Sequence, residues 1–377
     1  MMWEIAKLGK IAIIRTGKLD SNAAVIGGRY PFFTCDPNTL SIDVWAYDTE
    51  AVLLAGNNAS GNYTAKYYKG KFNAYQRTYI IESTNEEKLN IRYLCYALNQ
   101  QLQLLKTMSS GSTTKFLTVR MLDNLDIPLP GINIQNQIVN ILSAYDDLIE
   151  NNQKQIKLLE EAAQRLYKEW FVDLHFPGHE NTKIVDGVPE GWNESTVGNI
   201  CKLRKVVITP DKIESNTPYI GLEHMPRNDI CLSTWGKSEE INSNKFIYLK
   251  KDVLFGKIRP YFHKVGFALN DGITSTDTMV MVADQNLWGL LLVTVSSDEF
   301  VDFSYQNCKE GAKMPRADWK QMEKYAIMIA DQATQKLFEQ EILVITNKIS
   351  ALAFQCRSLR EARDRMLPKL MGGEVEA

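Results

Sequence analysis

The sequence predicts an α+β protein. It consists of two β-rich mixed globular domains separated by two long antiparallel coiled-coil helices, with an internal pseudo-twofold repeat. Three observations carry this reading. The chain repeats itself at a near-constant offset over most of its half-length. Two segments place apolar residues at alternating steps of three and four through ten heptad positions each. The stretches between them hold short runs rich in Tyr, Val, Ile and Thr, broken by Gly and Asn. The expected boundaries are 1–134 and 177–334 for the globular domains, and 135–176 and 335–377 for the helices.

The repeat is read at an offset of 200 residues. Leu54-Ala55-Gly56 falls on Leu254-Phe255-Gly256, Thr78 on Thr278, Ile127 on Ile327 and Gln135 on Gln335. The densest match sets Leu159-x-Glu161-Ala162-x-x-Arg165 against Leu359-x-Glu361-Ala362-x-x-Arg365. Near the domain starts the offset becomes 189, so that Trp3, Gly9 and Ile11 answer to Trp192, Gly198 and Ile200. Internal self-similarity of this kind outranks local pattern as evidence of architecture.

The first helical seam runs through Ile138, Leu142, Tyr145, Ile149, Asn152, Ile156, Leu159, Ala163, Leu166 and Trp170. The second runs through Phe338, Ile342, Ile345, Ile349, Leu352, Cys356, Leu359, Arg363, Met366 and Leu370. A stripe this narrow needs a partner helix, and the second copy supplies it. Pairing about residues 154 and 354 predicts Asn152 near Cys356 and Arg363 near Tyr145. Asp331 is the expected N-cap of the second helix, Pro177-Gly178 the stop of the first, and Gly372-Gly373 the stop of the second. Residues 138 to 170 in helical form make a rod of about 50 Å. Leu148, Leu158, Tyr167, Phe171, Leu343, Val344 and Phe354 lie off the seam. They are expected either to meet helices of other subunits or to pack on this chain's own domains.

Composition excludes more than it identifies. Forty-three basic and 45 acidic residues leave a formal charge of −2, which suggests neither a strongly basic nucleic-acid binder nor an acidic DNA mimic. The six cysteines stand singly, without a C-x-x-C pair, and read as reduced thiols. No basic-then-apolar leader opens the chain, and the apolar run Trp288–Val295 is far too short to span a bilayer, so a cytoplasmic protein without membrane association is expected. Neither G-x-G-x-x-G, nor G-x-x-x-x-G-K-[ST], nor an Asn-Pro-Pro-aromatic motif occurs. His175 and His179 flank Pro177-Gly178, which breaks the helix that would align them on a metal. No catalytic centre and no metal site are therefore expected.

Local clusters nominate a surface. In the first domain Lys66, Lys69, Lys71 and Arg77 interleave with Tyr67, Tyr68, Phe72, Tyr75 and Tyr79, with no acid from 66 to 79. In the second, Lys257, Arg259 and Lys264 lie in a basic stretch containing one acid, Asp252. Cations of this kind neutralise phosphates, and Arg, Asn and Gln read base edges. The loop 109–115, with Ser112, Thr113 and Lys115, offers hydroxyls and one cation for phosphate contact. Similar domains held apart by a rod suit a bipartite reader of duplex DNA; a coiled-coil scaffold without nucleic acid is the alternative.

Three passages resemble the specificity subunit of type I restriction–modification enzymes. They are GSTTKFLTVRMLDNLDIPLP (111–130), QNQIVNILSAYDDLIENNQKQIKLLEEAAQRLYKEWFVDLHFPGHE (135–180) with GVPEGW (187–192), and SLREARDRMLPKLMGGEV (358–375). The order domain, helix, domain, helix matches over essentially the whole length. The resemblance implies that each globular domain is a target-recognition domain for one half of an asymmetric split site in double-stranded DNA, with the helices fixing the unread gap. It implies docking of two modification (methyltransferase) subunits and two restriction (motor-nuclease) subunits. S-adenosylmethionine, ATP and Mg would then sit on those partners, with no cofactor on this chain. It transfers no base-reading residue.

Overall fold

The computed structural model describes residues 3–58, 61–109, 115–239, 241–284, 286–308 and 314–374. It divides into two compact units. One takes residues up to Leu148 together with those from Leu359 onward, and the other takes Ile149–Ser358. Each unit thus joins one β-rich domain to one half of each long helix.

In the first unit a six-stranded sheet is built from β1 (Ala12–Thr16), β2 (Tyr30–Phe33), β3 (Leu40–Ile42), β4 (Tyr47–Ala55), β5 (Ala65–Ala74) and β6 (Thr78–Ser83), in the order β1-β6-β4-β5-β2-β3. Both faces of the central strand are covered, which is why Ala51–Ala55 is a continuous apolar run rather than an alternating one. One face carries Val52, Leu54, Tyr79 and Ile81 against the helix Ile91–Gln100 and the long helices. The other carries Leu53, Phe72, Ala74 and Ile80 in a smaller aromatic cluster. Gly56 follows the central strand because its backbone passes the Arg77 carbonyl so closely that a Cβ would stand 2.5 Å from that oxygen.

The second unit repeats the plan. Strands β7 (Cys201–Leu203), β8 (Cys231–Leu232), β9 (Val253–Gly256), β10 (Val265–Ala268) and β11 (Thr278–Ala283) are ordered β7-β11-β9-β10-β8. That is the first sheet without its outermost strand, with the parallel edge pairing (β2 on β5, β8 on β10) kept. Each domain is closed by an antiparallel pair in the same register: Ala6 faces Ile127, and Ser195 faces Ile327. The offsets of 189 and 200 read from the sequence are the ones these pairs obey.

One sequence match is corrected. Leu53 pairs with Ile80, whereas the residue opposite Val280 is Leu254. The structural equivalent of Leu53 is therefore Leu254, one place later than the match of Leu54 to Leu254 implied. Face occupancy says the same. Leu53 and Ile80 share the smaller cluster, as do Leu254 and Val280, while Leu54 and Phe255 both face the main cores. Because side chains alternate across a strand, a one-residue slip moves a leucine to the opposite face. The identical letters were a coincidence of composition.

The long helices are Ile132–Tyr167 and Gln332–Met371. Asp331 caps the second, its Oδ1 accepting from Ala333 N at 2.9 Å and Thr334 N at 3.1 Å. Within each unit the two halves run antiparallel. In the first, Tyr145 donates to Met366 Sδ at 3.3 Å and Arg363 pairs with Asp146 at 2.7 Å. In the second, Cys356 Sγ donates to the Ile149 carbonyl at 3.7 Å, and the Trp170 and Phe338 rings lie 5.6 Å apart. Arg363 thus meets the residue next to Tyr145, as the sequence register required. Ile138, Leu142, Ile149, Asn152, Ile342, Ile349 and Leu352 are buried. Tyr145, Ile156, Leu159, Leu166, Ile345, Leu359 and Met366 are half-buried.

The first helix does not stop at Pro177-Gly178. After Tyr167 the backbone widens into a π-helical turn, Lys168–Val172, and Leu174 follows with φ of 59°. The widened turn lets the neighbours Trp170 and Phe171 both face inward, where Phe171 packs on Phe338 and Trp192. The off-seam residues divide accordingly. Tyr167, Phe171 and Leu343 join this chain's own core, whereas Leu148, Leu158, Val344 and Phe354 are exposed.

Asn152 is the polar interruption of the seam. It is buried, and its Nδ2 has no hydrogen-bond partner among the described residues. An orphaned buried amide costs free energy, so the shape-matched Asn152→Leu should stabilise the chain by about 1 kcal/mol. Urea unfolding of the two proteins measures this, and a less stable leucine variant would show the amide to be satisfied.

Candidate nucleic-acid interface

The basic residues nominated by the sequence separate into tethered and exposed groups. In the first unit the Lys66 ammonium donates to the Asp36 carbonyl at 3.3 Å and to Thr39 Oγ1 at 3.2 Å; burial lowers its pKa. Lys69 is exposed but pairs with Glu50 at 2.9 Å. Lys71 is exposed and lies 4.7 Å from the centre of the Trp45 ring, whose indole is itself 45% exposed. The loop before β4 carries that indole outward while Ala46 N bonds to the Phe72 carbonyl at 3.0 Å. Arg77 is exposed on the turn closed by Thr78 N donating to Tyr75 O at 2.8 Å. Lys115 stands opposite Asn58 in a short antiparallel pair beside Gly56. Ser112 and Thr113 lie outside the described residues.

In the second unit Lys257 donates to the Thr276 carbonyl at 2.7 Å, and Lys264 donates to the Leu222 carbonyl at 2.5 Å. Burial lowers the pKa of both. These two lysines hold loops together rather than project from them. Arg259 lies in a turn with φ of 51°, its backbone N bonded to the Pro315 carbonyl at 2.8 Å. Its guanidinium sits 5.7 Å from the Phe262 ring, which Arg227 covers at 4.0 Å. Ile258 bridges Arg316, and Arg316 pairs with Asp277 at 2.8 Å. The Asn57–Phe116 and Ile258–Arg316 pairings occupy equivalent places in the two domains. The repeat therefore extends to the rim that carries the half-buried Lys115 in one domain and Arg259 in the other.

Sequence reasoning missed Trp45, Arg227 and Tyr261. Trp45 and Tyr261 are large aromatics whose exposure only the fold reveals, and Arg227 sits far from the basic stretch in sequence. Among the described residues no group of three or more His, Cys, Asp or Glu could hold a metal ion. His175 is engaged with Glu169 at 3.2 Å and His179 with the Phe176 carbonyl at 2.9 Å. No described helix is long and apolar enough to cross a membrane.

A duplicated β-rich domain whose rims carry cations, paired with halves of two long antiparallel helices in each unit, is the arrangement the structure presents. Residues 2–161 match the family described as Type I restriction modification DNA specificity domain. The chain is 29% identical over 307 residues to the type I restriction enzyme EcoDI specificity subunit of Escherichia coli, covering 73% of this chain and 66% of that one. It is 26% identical over 301 residues to the MjaIX specificity subunit of Methanocaldococcus jannaschii, covering 75% and 68%. It thus spans about two thirds of the length of these relatives. The crystal structure of the type I restriction–modification S subunit from M. genitalium shares the fold, with a TM-score of 0.61 at 16% identity, covering 98% of this chain and 96% of that one. The chain is thus similar to type I restriction enzyme specificity subunits over about three quarters of its length, and residues 2–161 carry the match to the specificity domain.

Proposed function

We propose that the chain reads a bipartite, asymmetric double-stranded DNA site, one half per globular domain, with the paired helices setting the unread gap. Its place is the cytoplasm, and it carries no catalytic centre. Methylation and cleavage are the work of docked modification and restriction subunits, which hold S-adenosylmethionine, ATP and Mg. The observation that carries this reading is the repeated sheet, closed in one register in both domains, with matching rims that differ in their side chains. Two copies of one scaffold with different rims suit two different half-sequences. Leu158, Val344 and Phe354, exposed on the helix halves of the second unit, and Leu148 on that of the first, are the residues on which partner helices would dock.

The tethering found at the rim sharpens the phosphate assignment. Lys71, Arg77, Lys115 and Arg259 are the contacts proposed here, and Lys66, Lys257 and Lys264 support the loops. With the full chain bound to its modification subunit, Lys71→Ala or Arg259→Ala should each reduce the slope of log affinity against log salt by about one. Lys257→Ala should leave that slope unchanged. A slope unaltered by Lys71→Ala and Arg259→Ala would remove both from the interface. Equal binding of a selected and a scrambled duplex by the wild-type complex would favour the scaffold alternative.

A further inference from the structure

We propose that the turn Arg259–His263 is the base-discriminating element of the second domain, with Tyr261 stacking against or wedging beside a base of the duplex. The proposal rests on the DNA-reading function above and assigns the part of the rim that distinguishes sequence rather than merely attracting phosphate.

The turn is held in a conformation that its residues would not choose alone. Arg259 and His263, neither of them glycine, take φ of 51° and 50° on either side of the short 3-10 turn Pro260–Phe262. Backbone in this region persists only where surrounding structure enforces it. Here His263 is the brace. Its Nε2 lies 2.9 Å from the Ser296 carbonyl and its Nδ1 lies 3.2 Å from Asp298 Oδ1, so the turn is anchored where the helix Trp288–Val295 gives way to Asp298–Gln306. From the other side, the Arg259 backbone is bonded to Pro315.

What this bracing displays is aromatic and cationic. Tyr261 is 46% exposed and meets the equally exposed Tyr305 edge to face at 5.2 Å. Phe262 packs on Tyr261 at 4.9 Å and carries the two guanidinium groups of Arg227 and Arg259. An aromatic ring held rigid outside the core, with arginines stacked beside it, presents a face for a base and charges for the flanking phosphates. The corresponding stretch of the first domain, residues 57–62, reads Asn-Asn-Ala-Ser-Gly-Asn and carries neither an aromatic nor a cationic side chain. The repeats keep the same scaffold and diverge at this turn, as two domains reading different half-sites require.

The test is selection from a random duplex pool, using the full-length chain co-expressed with the modification subunit of its own genome, followed by sequencing of the bound DNA. The wild-type complex is expected to select a split motif. Tyr261→Ala should lose preference at one to three adjacent base pairs of one half-site, with discrimination there falling at least tenfold. The other half-site should be retained, which reports that the variant folds. Tyr261→Phe should keep the full motif. A Tyr261→Ala complex that selects the wild-type motif undiminished, or one that loses both half-sites alike, overturns the assignment. A wild-type complex that selects no motif overturns both the assignment and the function on which it rests.

Discussion

Inserting four residues after Gln155 should lengthen the unread gap of the recognised DNA by one to two base pairs and leave both half-sequences as they were. Four helical residues add about 6 Å of rise and about 40° beyond a full turn. The insertion stays close to the heptad step, so the apolar seam continues on nearly the same face. Gln155 lies between the seam residues Asn152 and Ile156, remote in sequence from the rim residues of both domains. Neither domain core loses a residue, and the distal helix can re-register by one turn against the lengthened one. Mapping methylated positions in cells carrying the altered chain and its partners reads the result directly. An unchanged gap would show that the helices do not set the spacing. Altered half-sequences would show that the insertion disturbs the readers themselves.

The second large effect concerns Glu160, which sits on the central helix with its carboxylate buried. Its Oε1 accepts from Ile230 N at 2.9 Å and Cys231 N at 3.1 Å. Burial, reinforced by the nearby Asp229 carboxylate, pushes its pKa up from 4.5 to about 7, against the opposing pull of those two backbone donors and Lys157. The folded state therefore holds the proton more tightly than the unfolded chain. The associated stability is fully present below about pH 4.5 and is lost as pH rises through about 7. A rise of this size corresponds to about 3 kcal/mol. Unfolding of the wild-type chain in urea should grow easier between pH 5 and pH 8, and Glu160→Gln, which keeps an acceptor but cannot titrate, should remove most of that slope. A wild-type stability that stays level or climbs over this window would show that the two backbone donors outweigh burial.

The fold was legible wherever it depends on periodicity. Heptads need only apolar spacing, and the step through Ile138, Leu142, Ile149, Ile342 and Ile349 located both helices, while their antiparallel sense came from the globular domain that lies between them in the chain. The closing strand pairs obey the sequence offsets, and beside them Gly9 and Gly198 pass so close to the equivalent residues Asp123 and Glu323 that a Cβ would stand 2.7 Å and 2.9 Å from them. The slip at Leu53 and Leu254 was not legible. A strand buried on both faces loses the alternation that fixes its register, so identical letters can align one residue out. The π-turn after Tyr167 was hidden for a related reason: a stop signal at Pro177-Gly178 marks where a helix must have ended, not where it widens. At the rim, sequence supplied the cations but not their partners. Lys66, Lys257 and Lys264 bond to a carbonyl contributed by residues at least 19 positions away, a relation no local pattern encodes.

The register difference in the central strands also bears on how such chains can be recombined. A genetic crossover between the two halves, guided by the best letter match near Leu54 and Leu254, would fuse strands whose inward and outward positions are out of phase. The hybrid sheet would point its leucines at the wrong layer. A crossover in the repeated helical stretch around Leu159–Arg165 and Leu359–Arg365 meets no such penalty, because there the identical residues stand at the same step of the seam. Shuffling of whole readers by exchange within the helices is therefore the route that leaves every core intact.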